Sequence, residues 1–261
     1  MPNVNEYAPG TPCWFELGTT DQSAAKEFYG KLFGWSANDM PMGPDGVYTI
    51  FQLNGRDVGA LWTLPQKLRD QGVPPHWGVY FAVPDVDAAA PRVTELGGTL
   101  LQPPFDVMDA GRMAVAKDPG GAVFSLWQAK KNIGAGVLNE NGAVCWAELA
   151  TRDTAQAREF YSRLLGWETK SSANMATYIE FSTGGQERGG LLPMGPEWKD
   201  APSHWGIYIH VPDCDAASAR AKELGGAMCV GPFSAPGVGR IAILTDPQGA
   251  AFSMIKLDAM N

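Results

Sequence analysis

Apolar and polar residues alternate in short segments along this chain, and helical patterns or turns separate the segments. CWFELGTTD, VYTIFQL and DVGALW alternate and are rich in aromatic and β-branched residues, which is typical of strands. After the first of them, Ala25, Phe28 and Leu32 fall on one face of a helix that Asp21 can cap and Gly34 can end. The order of one strand, one helix and three strands occurs four times. It predicts an α+β fold in which helices cover the outer face of cupped, antiparallel-rich sheets.

The second half of the chain repeats the first. The matched segments are CWFELGTTD and CWAELATRD (13–21 and 145–153), EFYGKLFGW and EFYSRLLGW (27–35 and 159–167), and DPGGAVFSLW and DPQGAAFSMI (118–127 and 246–255). Repetition in the same order predicts two homologous domains.

The repeat also sets the expected boundaries. We place the domains at residues 1–129 and 142–261, joined by the Gly- and Asn-rich linker 130–141. Each domain divides into two βαβββ units, at about 10–66 and 74–129 in the first domain and about 142–195 and 201–257 in the second.

Capping signals place the helix ends. Asp153, with Gln156 three residues later, makes a capping box for the helix that matches the one after Asp21. In the second unit either Asp85 or Asp87 can begin a helix. Pro91 is compatible with that helix only if it lies near the first turn.

Composition excludes several classes of function. The net charge is -8, so the basic surface that nucleic-acid binding needs is missing. No apolar stretch reaches the ~18 residues that a membrane helix requires, and the N-terminal segment lacks the pattern of a secretion signal. The four cysteines form no CxxC pair, which indicates free thiols in a reducing compartment. We therefore expect a cytoplasmic protein, either a monomer or a homodimer, that contacts neither nucleic acid nor membrane.

Four units that begin with the form x-x-L-x-x-x-D and end with D-P-x-G resemble the vicinal oxygen chelate superfamily, which contains glyoxalases, bleomycin-resistance proteins and dioxygenases. Within it, the chain is most similar to a two-domain actinobacterial group of glyoxalase-like proteins, often labelled hydroxylases, that includes a mycobacterial antigen. The resemblance implies a cup-shaped sheet that holds a small molecule. Because this fold hosts isomerases, dioxygenases, thiol transferases and drug-binding proteins, it leaves the reaction open.

In metal-dependent members, the resemblance implies ligands seven residues before the Asp that begins each helix and seven residues after the Asp of D-P-x-G. Those positions hold no good ligand for a divalent metal here: they are Trp14, Gly78, Ser125, Trp146, Gly206 and Ser253. We therefore predict neither a metal nor another cofactor. Relocated ligands, Glu16 with His76 and Glu148 with His204, are the alternative.

Strand alternation predicts which side chains line each cup, because residues two apart share a face. The expected catalytic residues are Glu16, Glu148, His76 and His204, and the expected substrate-binding residues are Trp14, Tyr80, Ser125, Trp127, Trp146, Tyr208, His210 and Ser253. A carboxylate among aromatic rings suits general acid–base chemistry, since burial raises its pKa. Arg112 and Arg240 are either candidate partners for the two glutamates or arginines exposed to solvent.

These patterns favour a metal-independent lyase, isomerase or cyclase that transfers a proton through Glu on a hydrophobic or aromatic metabolite. Three alternatives stay open: a protein that only sequesters such a compound, a metal-dependent lyase or dioxygenase with relocated ligands, and a structural or signalling module whose cups are filled by tryptophan.

Overall fold

The computed structural model describes residues 4–43 and 46–258. In the first half of the chain it contains β1 (Pro12–Thr19), α1 (Gln22–Phe33), β2 (Ser36–Pro41), β3 (Val47–Leu53), β4 (Arg56–Thr63), α2 (Gln66–Asp70), β5 (His76–Ala82), α3 (Val86–Glu95), β6 (Thr99–Val107), β7 (Gly111–Lys117) and β8 (Val123–Ala129). In the second half it contains β9 (Val144–Thr151), α4 (Thr154–Leu165), β10 (Glu168–Ser171), β11 (Ile179–Thr183), β12 (Gln186–Pro193), a 3-10 turn (Pro196–Trp198), β13 (His204–His210), α5 (Cys214–Glu223), β14 (Ala227–Ala235), β15 (Gly239–Thr245) and β16 (Ala251–Leu257).

Each half of the chain forms one mixed sheet of eight strands. The strand order is β2-β3-β4-β1-β5-β8-β7-β6 in the first sheet and β10-β11-β12-β9-β13-β16-β15-β14 in the second. The pairs β1–β4 and β5–β8 are parallel, whereas β2, β3 and β4 pair antiparallel. This order confirms the predicted α+β fold with one strand, one helix and three strands in every unit. The short α2 and the 3-10 turn Pro196–Trp198 lie outside that pattern.

The chain packs into two compact units that combine segments from both halves. The Tyr161 unit contains the residues up to 14 together with 78–134 and 146–206, and the Tyr29 unit contains 15–77, 135–145 and the residues from 207 onward. In the Tyr29 unit, the Tyr29 ring packs edge-on against Trp77 at 5.4 Å between centroids. In the Tyr161 unit, Tyr161 packs in the same way against Trp205 at 5.5 Å. An aromatic cluster under the helices therefore forms the core of each unit.

Each core contains a buried carboxylate that is fully engaged in hydrogen bonds. The Tyr29 hydroxyl donates to Asp246 Oδ2 at 3.1 Å and accepts from Trp77 Nε1 at 3.0 Å. Asp246 is only 2% exposed, and its Oδ1 accepts from the backbone of Ala250 at 2.9 Å. Burial raises the pKa of both the Asp246 carboxyl and the Tyr29 phenol. The Asp of D-P-x-G in the second half is thus a structural residue.

The other unit repeats this arrangement with its own residues. Tyr161 donates to Asp118 Oδ2 at 3.0 Å and accepts from Trp205 Nε1 at 3.0 Å. Asp118 is 3% exposed and accepts from the backbone of Ala122 at 2.9 Å. Burial again raises the pKa of the Asp118 carboxyl and of the Tyr161 phenol.

Helix ends follow most of the predicted capping chemistry. Asp153 Oδ1 accepts from the backbone of Gln156 at 2.9 Å, and Gly34 ends α1 with a φ of 74°. The backbone N–H of Asp153 donates to Thr151 Oγ1 at 3.4 Å, so only one half of the predicted capping box forms. Asp85, and not Asp87, caps α3. Pro91 is the sixth residue of α3 and therefore lies in its second turn, so the expectation that it lies near the first turn is wrong. The helix loses one internal hydrogen bond there.

The segment predicted as a linker is anchored. Ala135 and Val137 are buried, and the backbone of Gly136 donates to the Asp57 carbonyl at 2.7 Å. Glu140 forms an ion pair with Arg56 at the start of β4. These contacts all lie within the Tyr29 unit.

Across residues 4–43 and 46–258, none of the helices has both the length and the apolar character that crossing a bilayer requires.

Removing the hydroxyl of Tyr29 or Tyr161 should destabilise the fold. Tyr29→Phe and Tyr161→Phe leave a buried carboxylate oxygen and an indole N–H without their partner, so each should lower the free energy of unfolding by about 2 kcal/mol. Urea unfolding followed by fluorescence measures this. Lys31→Ala, which removes an exposed ion pair on α1, is the control and should leave the midpoint unchanged. Wild-type midpoints for both phenylalanine variants would refute the structural role.

The same phenols should make the protein sensitive to alkali. Because the folded-state pKa of Tyr29 and Tyr161 lies above the value of about 10 for an exposed tyrosine, their contribution to stability is complete below pH ~10 and is lost as the pH rises further. Absorbance at 295 nm should therefore show these two phenols ionising only as the chain unfolds. The Tyr29→Phe/Tyr161→Phe double variant should show a smaller late step, to which Tyr7 still contributes because burial raises its pKa as well. Ionisation of all tyrosines before any unfolding would contradict the assignment.

Candidate functional site

Glu16 lies on the face of β1 that points away from the helices. Its neighbours Phe15 and Leu17 are buried towards the core, and Glu16 itself is half-buried. The Tyr48 hydroxyl, on β3, donates to Glu16 Oε2 at 3.1 Å. Ala60 on β4 stands in register with Glu16. We call Glu16 and Tyr48 the Glu16 pair; it belongs to the Tyr29 unit.

The equivalent residues of the second domain form a longer chain of hydrogen bonds. The Tyr178 hydroxyl donates to Glu148 Oε2 at 2.8 Å and accepts from Trp146 Nε1 at 2.8 Å. All three side chains are half-buried. We call Trp146, Glu148 and Tyr178 the Glu148 cluster; it belongs to the Tyr161 unit.

A glycine makes the room that Tyr178 occupies. Gly190 on β12 stands in register with Glu148, and a Cβ added to it would lie 2.1 Å from the Tyr178 hydroxyl oxygen. The Tyr178 ring therefore lies directly over the backbone of Gly190. The first domain has Ala60 at the corresponding position.

The two tyrosines were not among the residues predicted from the sequence. Tyr48 and Tyr178 occupy the same place in the repeat, three residues before Phe51 and Phe181. That recurrence, in VYTIF and TYIEF, is the signal that identifies them.

The predicted histidines His76 and His204 are each held by a backbone carbonyl. His76 Nδ1 bonds to the Pro74 carbonyl at 2.8 Å, and His204 Nδ1 bonds to the Pro202 carbonyl at 2.9 Å. A carbonyl only accepts, so Nδ1 carries the proton in both rings and Nε2 faces elsewhere. His204 is exposed, and its ring centroid lies 5.8 Å from that of Trp198.

The predicted binding residues of β5 and β8 lie together in the Tyr161 unit. Tyr80 and Ser125 are in register and are 8% and 7% exposed. Trp127 packs edge-on against Tyr80 at 6.3 Å between centroids. Met113 continues the Trp127 row on β7, and Phe105 ends it on β6 with 40% exposure. This row is an apolar surface with an exposed aromatic ring at its edge. Trp14, on β1, is buried.

The predicted residues of β13 and β16 repeat that arrangement in the Tyr29 unit. Tyr208 is in register with Ser253, and His210 is in register with Ile255. All four side chains are buried.

The candidate pairing of the glutamates with Arg112 and Arg240 is wrong. Arg112 Nε lies 2.7 Å from Asp87 Oδ2, and Arg240 Nε lies 2.6 Å from Asp215 Oδ2. Each arginine thus binds a carboxylate in the first turn of the neighbouring helix. These hydrogen bonds lower the pKa of Asp87 and Asp215.

The residues at the family's metal-ligand positions do not fit a divalent ion. Trp14 and Trp146 offer an indole, Gly78 and Gly206 have no side chain, and Ser125 and Ser253 offer a neutral hydroxyl. These groups do not form a set of strong donors for such an ion. Within 4–43 and 46–258, no three side chains of His, Cys, Asp or Glu are grouped closely enough to hold a metal. Glu16 and Glu148 each accept a hydrogen bond from a tyrosine.

A cavity of about 430 Å³ lies elsewhere in the Tyr161 unit, at the start of α4. Thr151, Arg152, Asp153 and Ser203 contribute to its polar lining. None of the predicted site residues contributes to it.

The family assignment follows from sequence comparison. The family model described as "Glyoxalase/Bleomycin resistance protein/Dioxygenase superfamily" matches residues 13–126 and 144–254. The chain belongs to this superfamily. The two matched ranges correspond to the two sheets, so the protein consists of two tandem domains of this fold.

Two relatives and one solved structure illustrate the similarity. The chain is 45% identical to "Putative glyoxylase CFP32" of Mycobacterium tuberculosis over 98% of both chains. It is 38% identical to "Anthracycline biosynthesis protein DnrV" of Streptomyces peucetius over 97% of this chain and 96% of that one. The structure of the 2,3-dioxygenase LapB from Pseudomonas sp. KL28 matches with a TM-score of 0.65 at 14% identity, over 96% of this chain and 93% of that one. This last likeness concerns the fold alone.

Gly190→Ala should displace Tyr178 from Glu148. The added methyl would overlap the Tyr178 ring, so we expect a loss of about 1–3 kcal/mol in stability. In a Tyr178→Ala background the same substitution should have little effect, because the ring it meets is gone. Urea unfolding of the four proteins in this cycle measures the coupling. Equal costs in both backgrounds would show that Gly190 does not act through Tyr178.

Proposed function

We propose that the protein binds a hydrophobic or aromatic small molecule on the helix-free face of its sheets, which is the face that carries Glu16 and Glu148. In this proposal the two glutamates transfer a proton of that molecule. The reaction class is a metal-independent lyase, isomerase or cyclase reaction. The catalytic residues of this proposal are Glu16, Glu148, His76 and His204, and its binding residues are Trp14, Tyr80, Ser125, Trp127, Trp146, Tyr208, His210 and Ser253.

The observation that carries the proposal is the repeated pair of a carboxylate and a phenol. Glu16 with Tyr48, and Glu148 with Tyr178, stand at equivalent places on strands whose other face is the aromatic core. A half-buried carboxylate costs stability unless it is paired, and each glutamate here accepts a hydrogen bond from a tyrosine hydroxyl. Such a carboxylate can still take up a proton.

The proposed step is a proton transfer between the ligand and the carboxylate. The carboxylate removes a proton from a carbon next to a carbonyl, and the electron pair of that C–H bond moves into an enolate. The proton then resides on the Glu oxygen and returns to the enolate at the same or another carbon. The hydrogen bond from Tyr48 or Tyr178 orients the carboxyl group in both states.

An apolar surface in the Tyr161 unit, which also contains Glu148, supports an aromatic ligand. Trp127 and Met113 present a buried apolar row that ends in the exposed ring of Phe105, which is the lining that small apolar ligands use. The relative DnrV is named for anthracycline biosynthesis. The four cysteines are free, which supports a place in the cytoplasm.

Deuterium exchange tests the proton transfer without knowledge of the natural substrate. We would incubate the protein with 2-tetralone, an aromatic ketone with acidic protons, in D₂O and follow the loss of its C1 proton signals by NMR. Wild-type protein should accelerate the exchange above the buffer rate. Glu16→Gln/Glu148→Gln should lose about a hundredfold or more of that acceleration, because an amide cannot accept the proton.

The controls separate chemistry from binding. Glu27→Gln changes an exposed glutamate on α1 and should leave the exchange unaltered. The double Gln variant should still bind 2-tetralone, as measured by tryptophan fluorescence, because Gln keeps the shape of Glu and accepts from tyrosine. Binding without accelerated exchange in the wild type would assign a sequestering role instead. Undiminished exchange in the double variant would exclude the glutamates as the base.

A further inference from the structure

His210 is the last residue of β13, and its position is fixed by the backbone. Its N–H donates to the Ala143 carbonyl at 2.9 Å, and its carbonyl accepts from Gly142 at 2.8 Å. The side chain is 6% exposed. Alternation along the strand places it on the same face as Tyr208, opposite the fully buried Ile209.

The row of side chains that begins at His210 is otherwise apolar. Ile255 on β16 is in register with His210, Ile241 on β15 with Ile255, and Phe233 on β14 with Ile241. Ile255 and Ile241 are buried, whereas Phe233 is 41% exposed. The row therefore runs from an exposed aromatic ring, past two aliphatic side chains, to one polar ring.

That polar ring has an unused nitrogen. Nδ1 of His210 is buried and has no hydrogen-bond partner among the described residues. Burial lowers the pKa of His210, so the imidazole is neutral at neutral pH. A neutral imidazole carries one donor and one acceptor nitrogen, and a buried nitrogen without a partner is unfavourable. A hydroxyl group, which both donates and accepts, can satisfy Nδ1 in either tautomer.

The first domain provides the natural comparison. Ala82, the last residue of β5, makes the same two backbone hydrogen bonds, to the Thr11 carbonyl at 2.9 Å and from Gly10 at 2.8 Å. It begins a similar row, which continues through Trp127 and Met113. The two domains thus present matched apolar rows, and an imidazole stands at the end of only the second.

We infer that His210 is a specificity-determining residue of the second domain, whose imidazole selects aromatic ligands that carry a hydroxyl group over plain aromatic hydrocarbons. This inference rests on the proposed function, since it assumes that the helix-free face binds aromatic molecules. It adds a difference between the two domains: the first domain, with Ala82, recognises the apolar part of a ligand without this polar selection.

A matched pair of probes tests the selection. 2-Naphthol and naphthalene differ by one hydroxyl group, and their affinities for the full chain are measured by fluorescence titration at neutral pH. His210→Ala should weaken the binding of 2-naphthol to the second domain about tenfold, the loss expected for one buried hydrogen bond. It should change the affinity for naphthalene less than twofold. The variant introduces the residue that the first domain already holds at this place, so the backbone accommodates it.

A direct measurement on the wild type accompanies the variant. The chain has three histidines, so ¹⁵N spectra of their imidazoles are simple, and His210→Ala assigns the His210 signals. Adding 2-naphthol should shift the His210 Nδ1 signal, and adding naphthalene should not.

The outcomes are distinguishable from those of the proposed function. If both probes bind and His210→Ala weakens neither or weakens both equally, the inference is wrong while binding of aromatic ligands stands. An unmoved Nδ1 signal at saturating 2-naphthol would also overturn it. If neither probe binds the wild type, the proposed function fails and the inference with it.

Discussion

The buried carboxylates of Asp118 and Asp246 are the constraint on which the rest of the structure depends. An unpaired charge in a protein interior is strongly destabilising, so each carboxylate requires its tyrosine and its backbone donors to be in place together. Those partners come from distant parts of the sequence: Tyr29 and Asp246 are 217 residues apart, and Asp118 and Tyr161 are 43 apart. Satisfying the two charges therefore fixes which helix packs with which D-P-x-G turn inside each unit.

This core also determines where chemistry can occur. Because Trp77 and Trp205 donate to the buried tyrosines, the strands that carry them present one face to the helices without ambiguity. A shift of one residue would turn every side chain to the other face. On β1 the same rule directs Phe15 and Leu17 into the core, so Glu16 faces outward. The position of the glutamates is thus a consequence of aromatic packing rather than an independent feature.

The sequence was sufficient to predict the features that depend on local periodicity. The four repeats of one strand, one helix and three strands and the caps at Asp21 and Asp153 follow from spacing within a few residues. The sequence alone could not show which side chains meet across neighbouring strands. Register shifts at Phe51 and Phe181 alter which residues meet, so Tyr48 and Tyr178 could not be placed by counting. The arginine assignment was wrong for a similar reason, since a Gly-Arg sequence before a strand does not show which acid lies across from it.

The duplication shows which interactions both domains keep. Residues that hold the core, such as the Asp–Tyr–Trp networks, and the glutamate–tyrosine pairs are the same in both domains. Two positions that differ, Ala60 against Gly190 and Ala82 against His210, fall on the helix-free face while their backbones are held alike. Core positions differ as well, since Phe15 corresponds to Ala147 and Phe81 corresponds to Ile209, and all four side chains are buried. The buried carboxylate networks and the glutamate–tyrosine pairs are therefore kept in both domains while the side chains around them vary.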